Sequence, residues 1–168
     1  MAVFNKTNMA KLISCALLSA GLSAPVLAAS GQNHFSNHIV GLFAGATSFE
    51  GKHGREKEAT YGIEYEYRLN ANFSLGATYE TSPDAHHDDG VDVQLVNAYY
   101  RPDAHWRIGV GFGEEKVGGH HPHDESLKRV GVAYDFHFDG FGVAPALNVD
   151  FVNGHKAYVV GIALSKTF

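Results

Sequence analysis

The sequence predicts an all-β fold: an eight-stranded antiparallel transmembrane β-barrel wound as an up-and-down meander. Three observations predict it. Eight segments of 10–12 residues alternate large apolar side chains with small or polar ones at period two, each as long as a tilted strand needs to cross a bilayer. The connections between them alternate short and long. Aromatic residues on the apolar faces collect near the two ends of the segments, as the two membrane interfaces select.

The N-terminal stretch stands apart from the fold. Lys6 and Lys11 make a basic region, residues 12–22 an apolar one, and Val26-Leu27-Ala28 ends in an A-x-A-like cleavage site. Residues 1–28 therefore read as a cleaved secretory signal, 29–38 as a short polar periplasmic leader, and 39–168 as the barrel. The apolar run follows Cys15 instead of preceding it, which argues against a lipoprotein signal. Without the signal no cysteine remains, so disulfides and a thiol nucleophile are excluded.

The first strand, 39–49, sets Val40, Leu42 and Ala44 against Gly41, Phe43 and Gly45, and this balance leaves its faces open. The second, 59–69, sets Tyr61, Ile63, Tyr65, Tyr67 and Leu69 against Gly62, Glu64, Glu66 and Arg68. The third, 73–82, carries Phe73 and Tyr79 outward and Gly76 and Glu80 inward. In the fourth, 91–101, Asp92 and Gln94 are assigned to the inside. The fifth, 105–115, turns Trp106, Ile108, Val110 and Phe112 outward and Arg107 and Glu115 inward. The sixth, 127–138, turns Phe136 and Phe138 out, with Arg129, Asp135 and His137 in; the seventh, 142–152, turns Phe151 out, with Asn148 and Asp150 in. The eighth, 157–168, is the clearest: Tyr158, Val160, Ile162, Leu164 and Phe168 share one face, interrupted only by Lys166.

The connections Asn70-Ala71-Asn72, Pro102-Asp103-Ala104 and Asp139-Gly140-Phe141 are short, whereas 50–58, 83–90 and 116–126 are long and polar. Short periplasmic turns and longer external loops are the asymmetry expected of such barrels; only Asn153-Gly154-His155 is short at the external end. With these directions Tyr67, Phe73, Trp106, Phe136, Phe138 and Phe168 fall at one rim, and Tyr61, Tyr79, Phe112, Phe151 and Tyr158 at the other. A soluble barrel of lipocalin type has the same period, but the girdles, the loop asymmetry and the terminal aromatic favour the membrane form.

On these features the chain resembles the small eight-stranded outer-membrane barrels, the group that includes the OmpA transmembrane domain and OmpX. The resemblance covers residues 39–168 and is architectural. It implies location in the outer membrane of a Gram-negative bacterium, with outer-membrane lipid and lipopolysaccharide as surroundings. It also implies that the barrel-assembly machinery reads Tyr158, Val160, Ile162, Leu164 and Phe168 as a C-terminal signal during biogenesis. A monomer is expected.

The interior is expected to be a polar network of Glu64, Glu66, Arg68, Arg107, Arg129, Asp135, His137 and Asp150, because buried charge must be paired or wet. Arg107 with Asp135 and Arg129 with Asp150 are the pairs expected from strand adjacency. Eight strands enclose a space that side chains nearly fill, so a packed lumen is favoured over a narrow cation-preferring conduit lined by Glu64, Glu66 and Asp150.

Histidine is the compositional anomaly, with 11 in 168 residues. His86-His87-Asp88-Asp89 and His120-His121-Pro122-His123-Asp124-Glu125 lie in predicted external loops and offer imidazole and carboxylate, ligands suited to zinc, copper or nickel. No fixed-spacing metal motif accompanies them. No cofactor is required, and a divalent transition metal held by His86, His87, Asp88, His120, His121 and His123 is the alternative to a merely solvated loop surface.

Removing the signal, with its two lysines and no acids, leaves 11 basic against 18 acidic residues, which argues against a nucleic-acid partner. Catalysis is not expected either. His34-Phe35-Ser36-Asn37-His38 superficially resembles the His-x-Ser-Asn segment of lipid A deacylases, but precedes the first strand here. No Gly-x-Ser-x-Gly elbow or inward triad appears. The expected role is therefore structural or surface-interactive.

Overall fold

A computed structural model describes residues 37–51, 54–85, 90–119 and 122–168; the signal and most of the leader lie outside them. The strands are β1 His38–Gly51, β2 Gly54–Arg68, β3 Phe73–Ser82, β4 Val91–Tyr100, β5 Trp106–Val117, β6 His123–Tyr134, β7 Phe136–Phe138, β8 Phe141–Val152 and β9 His155–Thr167. β6 and β7 are one stave. Ala133 pairs with Ala146 and Phe136 with Val143 in unbroken register, and the ladder lapses between them where Pro145 has no N–H to give. Asp135 N instead donates to His105 O at 2.7 Å on the other side.

The eight staves form an antiparallel meander closed by β1 against β9. The pairing also fixes the stagger. The register runs from Ile39 through Glu66, Gly76, Asn97, Gly111, Arg129, Asp150 and Ala157 back to β1 at Phe49, ten residues beyond the start. Ten residues at about 3.3 Å, over eight inter-strand spacings of about 4.8 Å, correspond to a strand tilt of roughly 40°, within the range of transmembrane barrels.

Turn chemistry sets the short end. Asn70 Oδ1 accepts from the N–H groups of Asn72 and Phe73, both at 2.9 Å. Asp103 Oδ1 accepts from those of His105 and Trp106 at 2.7 and 2.8 Å, so one Asx device starts both β3 and β5. At the opposite end Asn153 and Gly154 have φ of 47° and 84°, the two positive values that a tight hairpin between right-twisted strands requires. The Asp103 carboxyl is held below the ordinary carboxylate range by the N–H groups of Trp106 and His105. Its contribution is therefore complete above the unfolded carboxylate pKa of about 3.9 and fades as pH falls through the lower folded value. Asp103→Ala is expected to lower the thermal midpoint at pH 7, and the deficit to shrink as pH falls below the ordinary carboxylate range, as followed by circular dichroism.

Two connections are shorter than their polarity implies. Residues 50–58 are largely hairpin, with Gly51 paired to Gly54, and β5 and β6 continue to Val117 paired with His123. Apolar alternation ends where the outward face leaves the apolar belt, but backbone pairing needs no lipid and continues beyond it.

The distribution of side chains is inverted relative to a soluble protein. Val40, Leu42, Ile63, Val96, Val110, Ile162 and Leu164 are exposed on the outer surface, Ile162 to 55%, whereas Glu66, Glu80, Arg101, Arg129 and Asp150 are buried inside. The open question of the first strand is answered: Val40, Leu42 and Ala44 face out, and Ile39, Gly41 and Phe43 face in. Inward glycines make room for large inward neighbours. A Cβ on Gly76 or Gly109 would come within 2.8 Å of the Tyr99 ring.

Candidate functional site

The lumen is organised in layers along the barrel axis. At the short-turn end Glu66 is the hub. Arg101 donates to its carboxylate from Nε at 3.2 Å and from Nη2 at 2.9 and 3.0 Å; Arg107 Nη1 donates at 3.1 Å and Ser74 Oγ at 2.6 Å. Arg101 also pairs with Asp135, and Arg107 reaches Glu64 at 3.5 Å while its guanidinium lies 5.2 Å from the Tyr99 ring centre. These groups border a 180 Å³ pocket that Arg68 and His137 also line.

In the middle, Asn97 Nδ2 donates to Thr78 Oγ1 at 2.9 Å beside a void of only 30 Å³. Above it lies the second charged layer. Arg129 holds Glu80 in a two-pronged pair at 2.6 and 2.7 Å and Asp150 in another at 2.6 and 2.7 Å. One guanidinium thus bridges carboxylates from β3 and β8, with all three side chains almost fully buried. Such paired, two-pronged geometry satisfies both partners where water is scarce.

The clamp floors a 490 Å³ cavity open toward the long-loop end. One wall is a hydroxyl row in which Thr60 contacts Thr47 at 2.6 Å and Ser82 at 2.8 Å. Beside it Ala85, Val91, Val93, Leu95, Val117, Leu127 and Val152 form one buried apolar cluster, of which Ala85, Val91, Val93 and Val152 line the cavity. Glu115 and Glu125 also line the cavity and face one another directly across β5 and β6.

Several sequence assignments are placed differently. Asp92 and Gln94 do not face the lumen; Val91, Val93, Leu95, Asn97 and Tyr99 do, and Gln94 is exposed outside. β4 is apolar on both faces at different heights: Val96, Ala98 and Tyr100 face outward, whereas Val91, Val93 and Leu95 pack into the mouth, so apolarity alone gives the wrong phase. Asp135 pairs with Arg101, not with Arg107, which is drawn across the lumen to Glu64 and Glu66. Arg101, placed just past β4 and 5% exposed, is the functional residue that the sequence reading missed. Its signal was an arginine at the end of a strand beside a turn, one residue after an outward tyrosine.

Glu64, Glu66, Arg107, Arg129, Asp135 and Asp150 all enter these networks. Arg68 and His137 reach only the inner pocket, where His137 lies 5.8 Å from His105, ring centre to ring centre. His86, His87, Asp88, His120 and His121 lie outside the described residues. His123 is placed at the start of β6, its Nε2 3.8 Å from Glu125, and among the described residues no three potential ligands come together around a metal-sized space. Tyr158, Val160, Ile162 and Leu164 face outward on β9, and Phe168 N donates to His38 O at 2.8 Å, beside the closing seam.

No protein-family profile matches the chain, and no curated protein is similar to it in sequence. Among solved structures the fold is similar to Neisserial surface protein A, with a TM-score of 0.63 and 13% identity over 78% of this chain and 97% of that one. It is similar to the N-terminal β-barrel domain of Pseudomonas aeruginosa OprF, with a TM-score of 0.58 and 15% identity over 77% and 97%. It is also similar to Ail, the attachment invasion locus protein of Yersinia pestis, with a TM-score of 0.54 and 11% identity over 79% and 97%. The fold is that of the small eight-stranded outer-membrane barrels.

Proposed function

We propose that the protein is an integral, monomeric barrel of a Gram-negative outer membrane, with its long-loop end at the cell surface and a structural or surface-interacting role without catalysis. The observation that carries this reading is the inverted side-chain distribution. Aliphatic residues are exposed around the outside, and the charges are clamped within. Tyr158 on β9 and Phe168 just past its end lie ten residues apart, which at about 3.3 Å per residue and roughly 40° tilt is about 25 Å, the height of the apolar band in such barrels. The protein is expected in the outer-membrane fraction, resisting carbonate extraction and migrating faster on a gel before boiling than after. His155→Cys should react with an impermeant maleimide on intact cells and Ala71→Cys should not. A protein recovered in the periplasmic fraction without detergent contradicts the reading.

Lipopolysaccharide is the lipid partner supported at the outer rim. Phe112, Lys128, Phe151 and Lys156 follow one another across β5, β6, β8 and β9, all exposed or outward, with Lys156 Nζ 5.7 Å from the Phe151 ring centre. Alternating cations and aromatics at an interface suit phosphate above acyl chains. The Lys128→Gln/Lys156→Gln variant is expected to lose most of the rise in thermal midpoint that lipopolysaccharide gives the parent, and to equal it in pure phosphatidylcholine. During biogenesis the lipid-facing Tyr158, Val160, Ile162, Leu164 and Phe168 would serve as the assembly signal.

A second reading, metal capture at the surface, is favoured by one contact. Gly118 N donates to Gly90 O at 3.0 Å, tying the roots of the connections that carry His86, His87 and Asp88 and His120, His121 and His123. Saturable zinc or copper binding by calorimetry, lost in the His120→Ala/His121→Ala/His123→Ala variant, would move this reading first. A conducting lumen has less support, because Glu66 is consumed in ion pairs that cross it and Asp150 is held by Arg129, which itself reaches across to Glu80.

A further inference from the structure

The outer cavity has a charge pattern that the rest of the lumen lacks. In the inner layer Arg101 and Arg107 between them meet Glu64, Glu66 and Asp135. In the cavity Arg129 is consumed by Glu80 and Asp150, which leaves Glu115 and Glu125 directly opposite each other with no arginine of their own. Like charges facing across a strand pair are destabilising. Asp150 and Glu125 are carboxylates beside Glu115, and His123 and Arg129 are cationic groups beside it. Glu125 accepts one hydrogen bond, from Asn153 Nδ2 at 3.1 Å. Among the described residues Glu115 makes none.

These two carboxylates line a space of 490 Å³ that Val91, Val93 and Val152 line as well, Val93 being the cross-strand partner of Glu115. The volume lies within the range of small-molecule sites, which are mostly apolar with a few convergent polar groups. Lys156 belongs to the rim of this space, with its Nζ 5.7 Å from the ring centre of the outward Phe151. The cavity therefore offers two carboxyl groups without an arginine partner next to aliphatic surface, and water solvates only the first.

We propose that the outer cavity is a binding site for a small organic cation with an apolar body, an alkyl- or arylalkylammonium. Its ammonium group sits between Glu115 and Glu125 and its apolar part lies on Val91, Val93 and Val152. Primary ammonium suits the place because it brings three donors to two carboxylates, and the hydroxyl row of Thr47, Thr60 and Ser82 accepts or donates to any remaining polar group. The occupancy does not depend on which membrane holds the barrel, so failure of the surface reading above leaves this test intact.

The test is a titration of the protein, purified from membranes and reconstituted in zwitterionic phosphatidylcholine nanodiscs, with 2-phenylethylammonium, followed by amide chemical shifts. Saturable shifts are expected at Val91, Val93, Glu115 and Val152. Two comparisons separate the parts: 2-phenylethanol, nearly the same shape without charge, and ethylammonium, the same charge without the ring, should each bind at least tenfold more weakly. Glu115→Gln/Glu125→Gln should bind the cation at least tenfold more weakly and the alcohol unchanged. If that variant fails to fold, as read by its gel mobility before boiling, Glu125→Gln alone, at the partly exposed rim, carries the comparison with a loss of at least threefold. Absent or non-saturating shifts, equal affinity for the alcohol, or undiminished cation binding in the folded variant would each overturn the proposal.

Discussion

Arg129→Met is expected to lower the unfolding free energy by about 3–5 kcal/mol, the cost of leaving buried charge without its partner. The substitution keeps a long side chain in the lumen but strips Glu80 and Asp150, exposed to only 2% and 3%, of both prongs of their ion pairs. No described cation replaces it, since the other lumen arginines belong to the inner layer. Adding Glu80→Gln and Asp150→Asn to Arg129→Met should recover most of the loss, because the layer then holds no unpaired charge. Urea unfolding in lipid vesicles reads both variants. A loss below about 1 kcal/mol for the single variant would mean that water in the cavity solvates the two carboxylates and the clamp does not hold the layer.

Ile162→Arg is expected to cost about 2–4 kcal/mol, the penalty for a cation at the middle of a lipid-facing strand. Ile162 is 55% exposed and lies between the rim residues Tyr158 and Phe168. In a water-soluble barrel the same change at an exposed position would be worth roughly half a kcal/mol or less. Lys166→Arg, two turns of the alternation nearer the short-turn rim on the same face, is expected to be neutral because a long cation there reaches the interface. Equal, small effects at both positions would place water against β9.

Most of the architecture was legible because a barrel whose two faces meet different surroundings writes period two into its sequence. The outward stripe Tyr158, Val160, Ile162 and Leu164 and the inward Glu64, Glu66 and Arg107 appear in the fold on the faces their neighbours imply. The stagger of ten residues was not legible, since it depends on which residues pair and not on which face they take. β4 was misread for a related reason. Val91, Val93 and Leu95 are apolar because they pack against Leu127 and Val152 inside the mouth, and composition does not distinguish lipid from core. Strand ends were blurred where pairing outlasts the apolar belt, as at Val117 with His123.

The site was half legible. Charge on the inward face announced an ion-pair network, and adjacency on neighbouring strands suffices for Arg129 and Asp150, which are register partners. Partners that meet across the lumen are not adjacent in any strand pair. Arg101 reaches Glu66 and Asp135 from β4's end, and Arg129 reaches Glu80 from three strands away. Those contacts depend on barrel radius and side-chain length together, which a one-dimensional pattern does not carry.

The most direct measurement is site-directed spin labelling along the outward face of β9, with nitroxides placed singly at Tyr158, Ile162 and Lys166 and a fourth at His155 in the outer mouth, in phosphatidylcholine vesicles. The inverted barrel predicts oxygen accessibility that peaks at Ile162 with little access for a water-soluble nickel chelate, a falling oxygen-to-nickel ratio toward Tyr158 and Lys166, and free nickel access at His155. High nickel access at Ile162 equal to that at His155 would contradict a lipid-facing belt and leave a water-soluble barrel in its place.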